Sequence, residues 1–144
     1  MNSIKNIILL DSNTDISKIN LSDYDGLQIV SFDFEIHKRL NEKKLEHLIS
    51  DELLSNDNLL IIQKNAYLLS QWYNEESIKK YLQYENVNLG SLVQSEFINI
   101  LVNYSKRFQE CLNITEKFGT EVNYICGGLN YEIMSDLSLK LIEI

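Results

Sequence analysis

"GLQIVSFDFEIHKRL", Gly26 to Leu40, passes from one kind of regular structure into another. Gly26 opens the stretch. Leu27 to Phe32 is a nearly continuous apolar run of the length of a strand, and Asp33 closes it. From Glu35 to Lys43 the apolar positions Ile36 and Leu40 stand one helical turn apart, which predicts a short helix. An unbroken apolar strand suits a sheet covered on both faces, and a helix directly after it suits a parallel crossover. This one stretch therefore argues for an α/β fold.

The same plan recurs along the chain. "KNIILLDSN" predicts a buried strand from Ile4 to Leu10, ending in turn residues. "KLEHLIS" breaks helical phase and admits a short strand from Leu45 to Ile49. Leu59, Ile62, Ala66, Leu69 and Tyr73 alternate spacings of three and four, a helical stripe with Ser55 to Asp57 as its cap. A short helix from Ser77 to Tyr84 follows. Ser91 to Gln94 has the S-x-x-Q form of a capping box. Beyond it Val93, Phe97, Ile100, Leu101, Tyr104, Phe108, Cys111 and Leu112 form one stripe, and Gly119 is its stop. This predicts a helix of about 27 residues, roughly 40 Å long. "EVNYIC" predicts a strand, Gly127-Gly128 a turn, and "LNYEIMSDLSLKLI" a last helix with Leu129, Ile133, Leu137 and Leu141 every four residues. Strands alternating with helices predict a small, mainly parallel sheet. No linker, repeat or low-complexity tract interrupts residues 1–144, so one domain is expected.

Composition narrows the partners. The chain has 13 Lys+Arg against 21 Asp+Glu, a formal charge of −8. Phosphate backbones need clustered cations, and the longest basic runs are Lys43-Lys44 and Lys79-Lys80, so no nucleic-acid surface is expected. Cys111 and Cys126 form no CxxC or Cys/His cluster, which speaks against a zinc site. The apolar run at the N-terminus stops at Asp11, too soon for a signal peptide or a transmembrane segment. The expectation is a cytoplasmic protein without a metal or other cofactor.

Four places carry candidate chemistry. "DSNTD" resembles the D-x-D-x-T nucleophile loop of haloacid-dehalogenase-like phosphatases, with Asn13 where the second Asp, the general acid, belongs. The downstream lysine and acidic metal loop of that family have no clear counterpart, so a turn after a strand is the simpler reading and a phosphatase relic at Asp11 the remote one. His37 and His47 lie ten apart, not at the i, i+4 spacing that brings two histidines to one metal on a helix. Gly127 and Gly128 sit where a strand meets a helix, and backbone amides there can hold an anion or a sugar phosphate, although tight turning alone explains a glycine pair. Trp72, Tyr73, Tyr81 and Tyr84 are either a stacking platform for a sugar or a packed seam, and the seam is the simpler reading. Ligands of open α/β sheets lie beyond the carboxyl ends of the strands. Asp11, Asp33, His37, Gly127 and Gly128 are therefore the expected substrate-binding residues, with no catalytic residue assigned.

Taken in order, "SFDFEIHKRL", "EHLISDELLS", "LLSQWY" and "YLQYENVNLGSLVQSEF" resemble the N-terminal region of bacterial and archaeal surface-polysaccharide biosynthesis proteins, which look like two-domain glycosyltransferases of the GT-B kind. The matching positions are Asp33, His37, His47, Asp51, Trp72, Tyr73, Tyr84, Glu85, Asn88, Leu89 and Gly90; Asn86 departs from an expected glycine. The resemblance spans roughly residues 4–130 and rests on order, since no single motif is specific. It implies a Rossmann-like three-layer domain that faces a sugar acceptor, with the nucleotide-sugar held by a C-terminal domain not contained in these residues, and hence no complete catalyst. A small acidic protein-interaction module is the alternative.

Overall fold

A computed structural model describes residues 3–137 and 139–144. Ser138, which the last predicted helix includes, lies outside the described residues, as do Met1 and Asn2. The chain packs as two compact units, one of residues 1–54 with 110–144 and one of residues 55–109. Sequence reading expects a single domain; the second unit is an insertion between two strands of the first.

The first unit is a five-stranded, all-parallel sheet. Its strands are β1 (Asn6–Leu10), β2 (Leu27–Ser31), β3 (Leu48–Ile49), β6 (Asn123–Cys126) and β7 (Leu141–Glu143), in the order β3-β2-β1-β6-β7. The β4 and β5 strands, a hairpin of the second unit, are Gln83–Tyr84 and Val87–Asn88. Helix α1 (Phe34–Glu42) joins β2 to β3, and α6 (Gly128–Asp136) joins β6 to β7. These crossovers step away from β1 in opposite directions. With the usual right-handed connection they lie on opposite faces of the sheet, a Rossmann-like three-layer α/β fold.

The burial pattern follows from that layering. Ile7, Ile8, Leu9 and Leu10 are all fully buried, because β1 is covered on both faces and paired on both edges. Ile8 and Leu10 share one face with Ile29 and Ile125, under Ile36 and Leu40 of α1. The alternate positions Ile7, Leu9, Val30, Tyr124 and Cys126 are buried on the other side. No helix follows β1. Two 3₁₀ turns, Ile16–Lys18 and Leu21–Asp23, carry the chain to Gly26, whose positive φ of 63° completes the reversal into β2.

The last predicted helix is shorter than its leucine repeat. It ends at Asp136, and Leu141 belongs to β7, paired with Tyr124. A four-residue repeat of leucines fits a helix, but residue 141 sits beside an open strand edge that takes it as a fifth strand.

The second unit is helical. Helix α2 (Asn56–Ser70) starts on a capping box in which Ser55 and Asn58 exchange side-chain and backbone hydrogen bonds. Ile62 and Ala66 are buried as the stripe predicts, whereas Leu59 and Leu69 are exposed, and Tyr73 lies in a 3₁₀ turn rather than the helix. Helix α3 (Glu76–Leu82) stops two residues early because Gln83–Tyr84 turns back on Val87–Asn88, with Glu85 at a φ of 52°. Asn88 caps the short α4 (Leu89–Leu92), and the long α5 is Gln94–Phe118, whose residues from 110 onward belong to the first unit, ended by Gly119 at a φ of 82°.

The predicted S-x-x-Q box is not formed. Ser91 Oγ donates to the Asn88 carbonyl, and the Gln94 amide instead donates to Ser70 Oγ and accepts from Tyr73 Oη. A side chain that ties down the end of α2 is not free to cap α5. In the α5 stripe Cys111 is buried, but Val93, Ile100 and Tyr104 are exposed. Trp72 is half-buried, edge-to-face against Tyr73 and Phe97, which is the packed seam rather than a bare platform.

Gly90 lets the backbone of α4 lie against Tyr73. A Cβ there would overlap the Tyr73 side chain. Gly90→Ala is expected to destabilise the second unit by about 1–3 kcal/mol through overpacking, measured by denaturant unfolding. Gly119→Ala meets open space and is expected to cost only the strain of its left-handed backbone, about 1 kcal/mol.

Candidate functional site

The strand order sets the place of the site. Going out from β1, the chain first steps toward β2 and β3, then returns to the other edge for β6 and β7. The carboxyl ends of β1 and β6 therefore flank the switch point, where the two connections leave in opposite directions and open a crevice. A hollow of about 600 Å³ lies there, lined by Asp11 after β1, Gly127 and Gly128 after β6, Ile144, and Lys18 and Tyr24 of the β1–β2 connection.

Three of the five predicted residues thus meet at one hollow. Asp11 is 6% exposed, and its Oδ1 accepts from the Asn13 amide at 3.1 Å and from Thr14 Oγ1 at 3.1 Å. This Asx-type turn is the side-chain cap expected after a strand. Asn130, fully buried in the first turn of α6, directs Nδ2 at Asp11 Oδ2 over 3.5 Å, the limit of a hydrogen bond.

Gly127 is needed because a Cβ would strike the Ile144 carbonyl, whose residue continues the β6–β7 ladder through Ile144 N to Cys126 O at 3.2 Å. Gly128 has a φ of 54°. The glycine pair is accounted for by packing and backbone conformation, and no side chain caps α6.

Asp33 and His37 are elsewhere. Asp33 is the N-cap of α1, with Oδ1 accepting from Ile36 N at 3.0 Å, while Oδ2 accepts from Ser12 N at 2.7 Å. Its carboxylate fastens the β1 loop to the start of α1. It positions Asp11 from the neighbouring residue instead of lining the hollow. His37 is one turn further along α1 and lines a second, shallower hollow with His47, Asn41 and Glu52. Sequence spacing missed this pairing, because β3 returns the chain beside α1 and brings His47 to His37. It also missed Asn130, whose one signal is a polar residue three positions after Gly127, on the inward side of a helix start.

The charge at the first hollow is mainly negative. Asp11, Asp15 and Asp23 line it with Lys18, and Lys18 Nζ is 3.5 Å from Asp15. Hydrogen bonds from the Ser17 hydroxyl and amide, with Lys18 adding to them, hold the Asp15 carboxyl below its ordinary value. It therefore stays ionised at neutral pH. Among the described residues no group of three or more His, Cys, Asp and Glu side chains is placed to hold a metal ion, and no helix is long and apolar enough to cross a membrane.

Comparison with family models, curated proteins and solved structures gave no match for this chain.

Cys126 closes β6 beneath the hollow, fully buried and not disulfide-bonded. Burial, aided by the Glu143 carboxylate, pushes its thiol up to about 12. The reactive thiolate is therefore suppressed at pH 8. Ellman's reagent is expected to leave both Cys126 and the buried Cys111 unmodified in the folded protein and to titrate both in denaturant. Rapid labelling of the native protein at pH 8 would contradict that placement.

Proposed function

We propose that the first unit is a small-ligand domain that holds a sugar at the β1–β6 switch point, as the acceptor-side half of a glycosyltransferase-like surface-polysaccharide protein would. The observation that carries this reading is the convergence of Asp11, Gly127 and Gly128 on one hollow. Carboxylates accept hydrogen bonds from sugar hydroxyls, and charge-assisted bonds of this kind are the strong ones. A diphosphate would instead meet three carboxylates and one already paired lysine, so the sugar acceptor suits the site better than the nucleotide-sugar donor.

The expected outcome is that uncharged monosaccharides shift the amide resonances of Asn13, Gly127 and Gly128 together. Asp11→Asn should weaken binding by about tenfold, the scale of one hydrogen bond to a charged group. The purified chain is expected to turn over no nucleotide-sugar. Shifts confined to the region from Trp72 to Tyr84 would move the ligand to the aromatic seam and defeat the proposal.

One observation favours a second reading, a haloacid-dehalogenase-like relic. Asp11 ends the central strand at the switch point, where a phosphoryl-accepting carboxylate would stand, and the uncapped start of α6 lies across the hollow. Asn13 lacks the general acid's proton, so this reading is of binding without turnover. Magnesium-dependent binding of beryllofluoride that moves the same amides, with neutral sugars moving none, would establish it in place of the sugar site.

A further inference from the structure

The second hollow joins two histidines nose to nose. His37 Nδ1 and His47 Nε2 are 2.8 Å apart, with ring planes inclined at 64°. Each outer nitrogen also has a partner: His47 Nδ1 lies 2.8 Å from the Leu45 carbonyl oxygen, and His37 Nε2 lies 2.9 Å from the Asn41 side-chain amide. A carbonyl oxygen can only accept, so His47 donates from Nδ1, and in the neutral ring Nε2 keeps a lone pair that faces His37. In the metal-free pair His37 fills that inward position with its own Nδ1–H, and Asn41 donates to Nε2.

We propose that His37 and His47 form a two-nitrogen site for a divalent late first-row transition metal, with Cu²⁺ the best fit. Two ligand nitrogens about 2.0 Å from one ion and at right angles stand about 2.8 Å apart. The separation, set in the metal-free pair by an N–H···N hydrogen bond, equals that of adjacent ligands in the tetragonal geometry of Cu²⁺ or Ni²⁺. A tetrahedral ion would need the pair to open by about half an ångström.

The outer partners are those that metal-bound histidines use, a backbone carbonyl for one and a side-chain amide for the other. Binding leaves the Nδ1 proton of His47 in place, while both rings tilt so that the two inner lone pairs meet on the ion instead of facing one another. At His37 the proton passes from Nδ1 to Nε2, and a half-turn of the Asn41 amide presents Oδ1 to accept it. No proton is gained or lost overall. Water completes the coordination sphere, and Glu46 and Glu52 line the same hollow together with Lys44.

The test is a Cu²⁺ titration of the full chain against glycine as competitor, read by visible absorption. One ion per chain is expected, and His37→Ala and His47→Ala should each weaken binding at least tenfold. A smaller loss in either variant overturns the proposal. Should a variant fail to fold by circular dichroism, ¹⁵N NMR of the unaltered protein with diamagnetic Zn²⁺ decides. Coordination shifts at His37 Nδ1 and His47 Nε2 support the site, and shifts at neither nitrogen refute it. Neither arm involves the sugar hollow, so the two proposals stand or fall separately.

Discussion

The first unit depends on the burial of β1. A strand whose four residues Ile7 to Leu10 are all removed from water must be covered by layers above and below and paired on both edges. Each requirement is met by another part of the chain. β2 and β6 supply the edges, α1 covers the face of Ile8 and Leu10, and the alternate residues are buried on the other side. Fully burying side chains of this size is worth about 1.5–3 kcal/mol each. No other element of the sheet has that many in succession. The switch point is a by-product: a central parallel strand with its neighbours added in two directions must leave a crevice at its carboxyl end.

That geometry explains why two aspartates at equivalent strand ends have different work. Asp11 ends the central strand and faces the crevice. Asp33 follows β2, one strand to the side, where a helix begins at once, and its carboxylate is spent on the Ile36 and Ser12 amides. Losing a cap of this kind costs about 1 kcal/mol. Here the same group also fixes the residue next to Asp11, so Asp33 shapes the site without lining it.

The first unit was largely legible because its strands are written as apolar runs and its helix α1 as a clear turn repeat. β7 was not, since Leu141 continues a four-residue spacing that a helix satisfies equally well; only the free edge of β6 distinguishes the two. In the second unit the helices were found and their buried faces were partly misread. Leu59, Leu69, Val93 and Ile100 have helical spacing yet are exposed, because periodicity reports an apolar face and not whether anything covers it. The Ser91–Gln94 signature failed for a different reason. Gln94 is engaged instead by Ser70 and Tyr73, residues far away in sequence.

The site shows the same division. Strand-end logic placed Asp11, Gly127 and Gly128 together, and they do line one hollow, because the topology rule acts on sequence position alone. It could not separate a carboxylate that lines a hollow from one that caps a helix, since both are an aspartate after an apolar run. Nor could it find the histidine pair. Metal-ligand spacings on a helix record contacts within one element, whereas His37 and His47 belong to α1 and to the approach to β3. Their meeting is a consequence of a parallel crossover, which returns the chain alongside the helix it has just made. Ligand sets assembled by such a crossover leave no fixed interval in the sequence, only two suitable side chains and a fold that closes the distance between them.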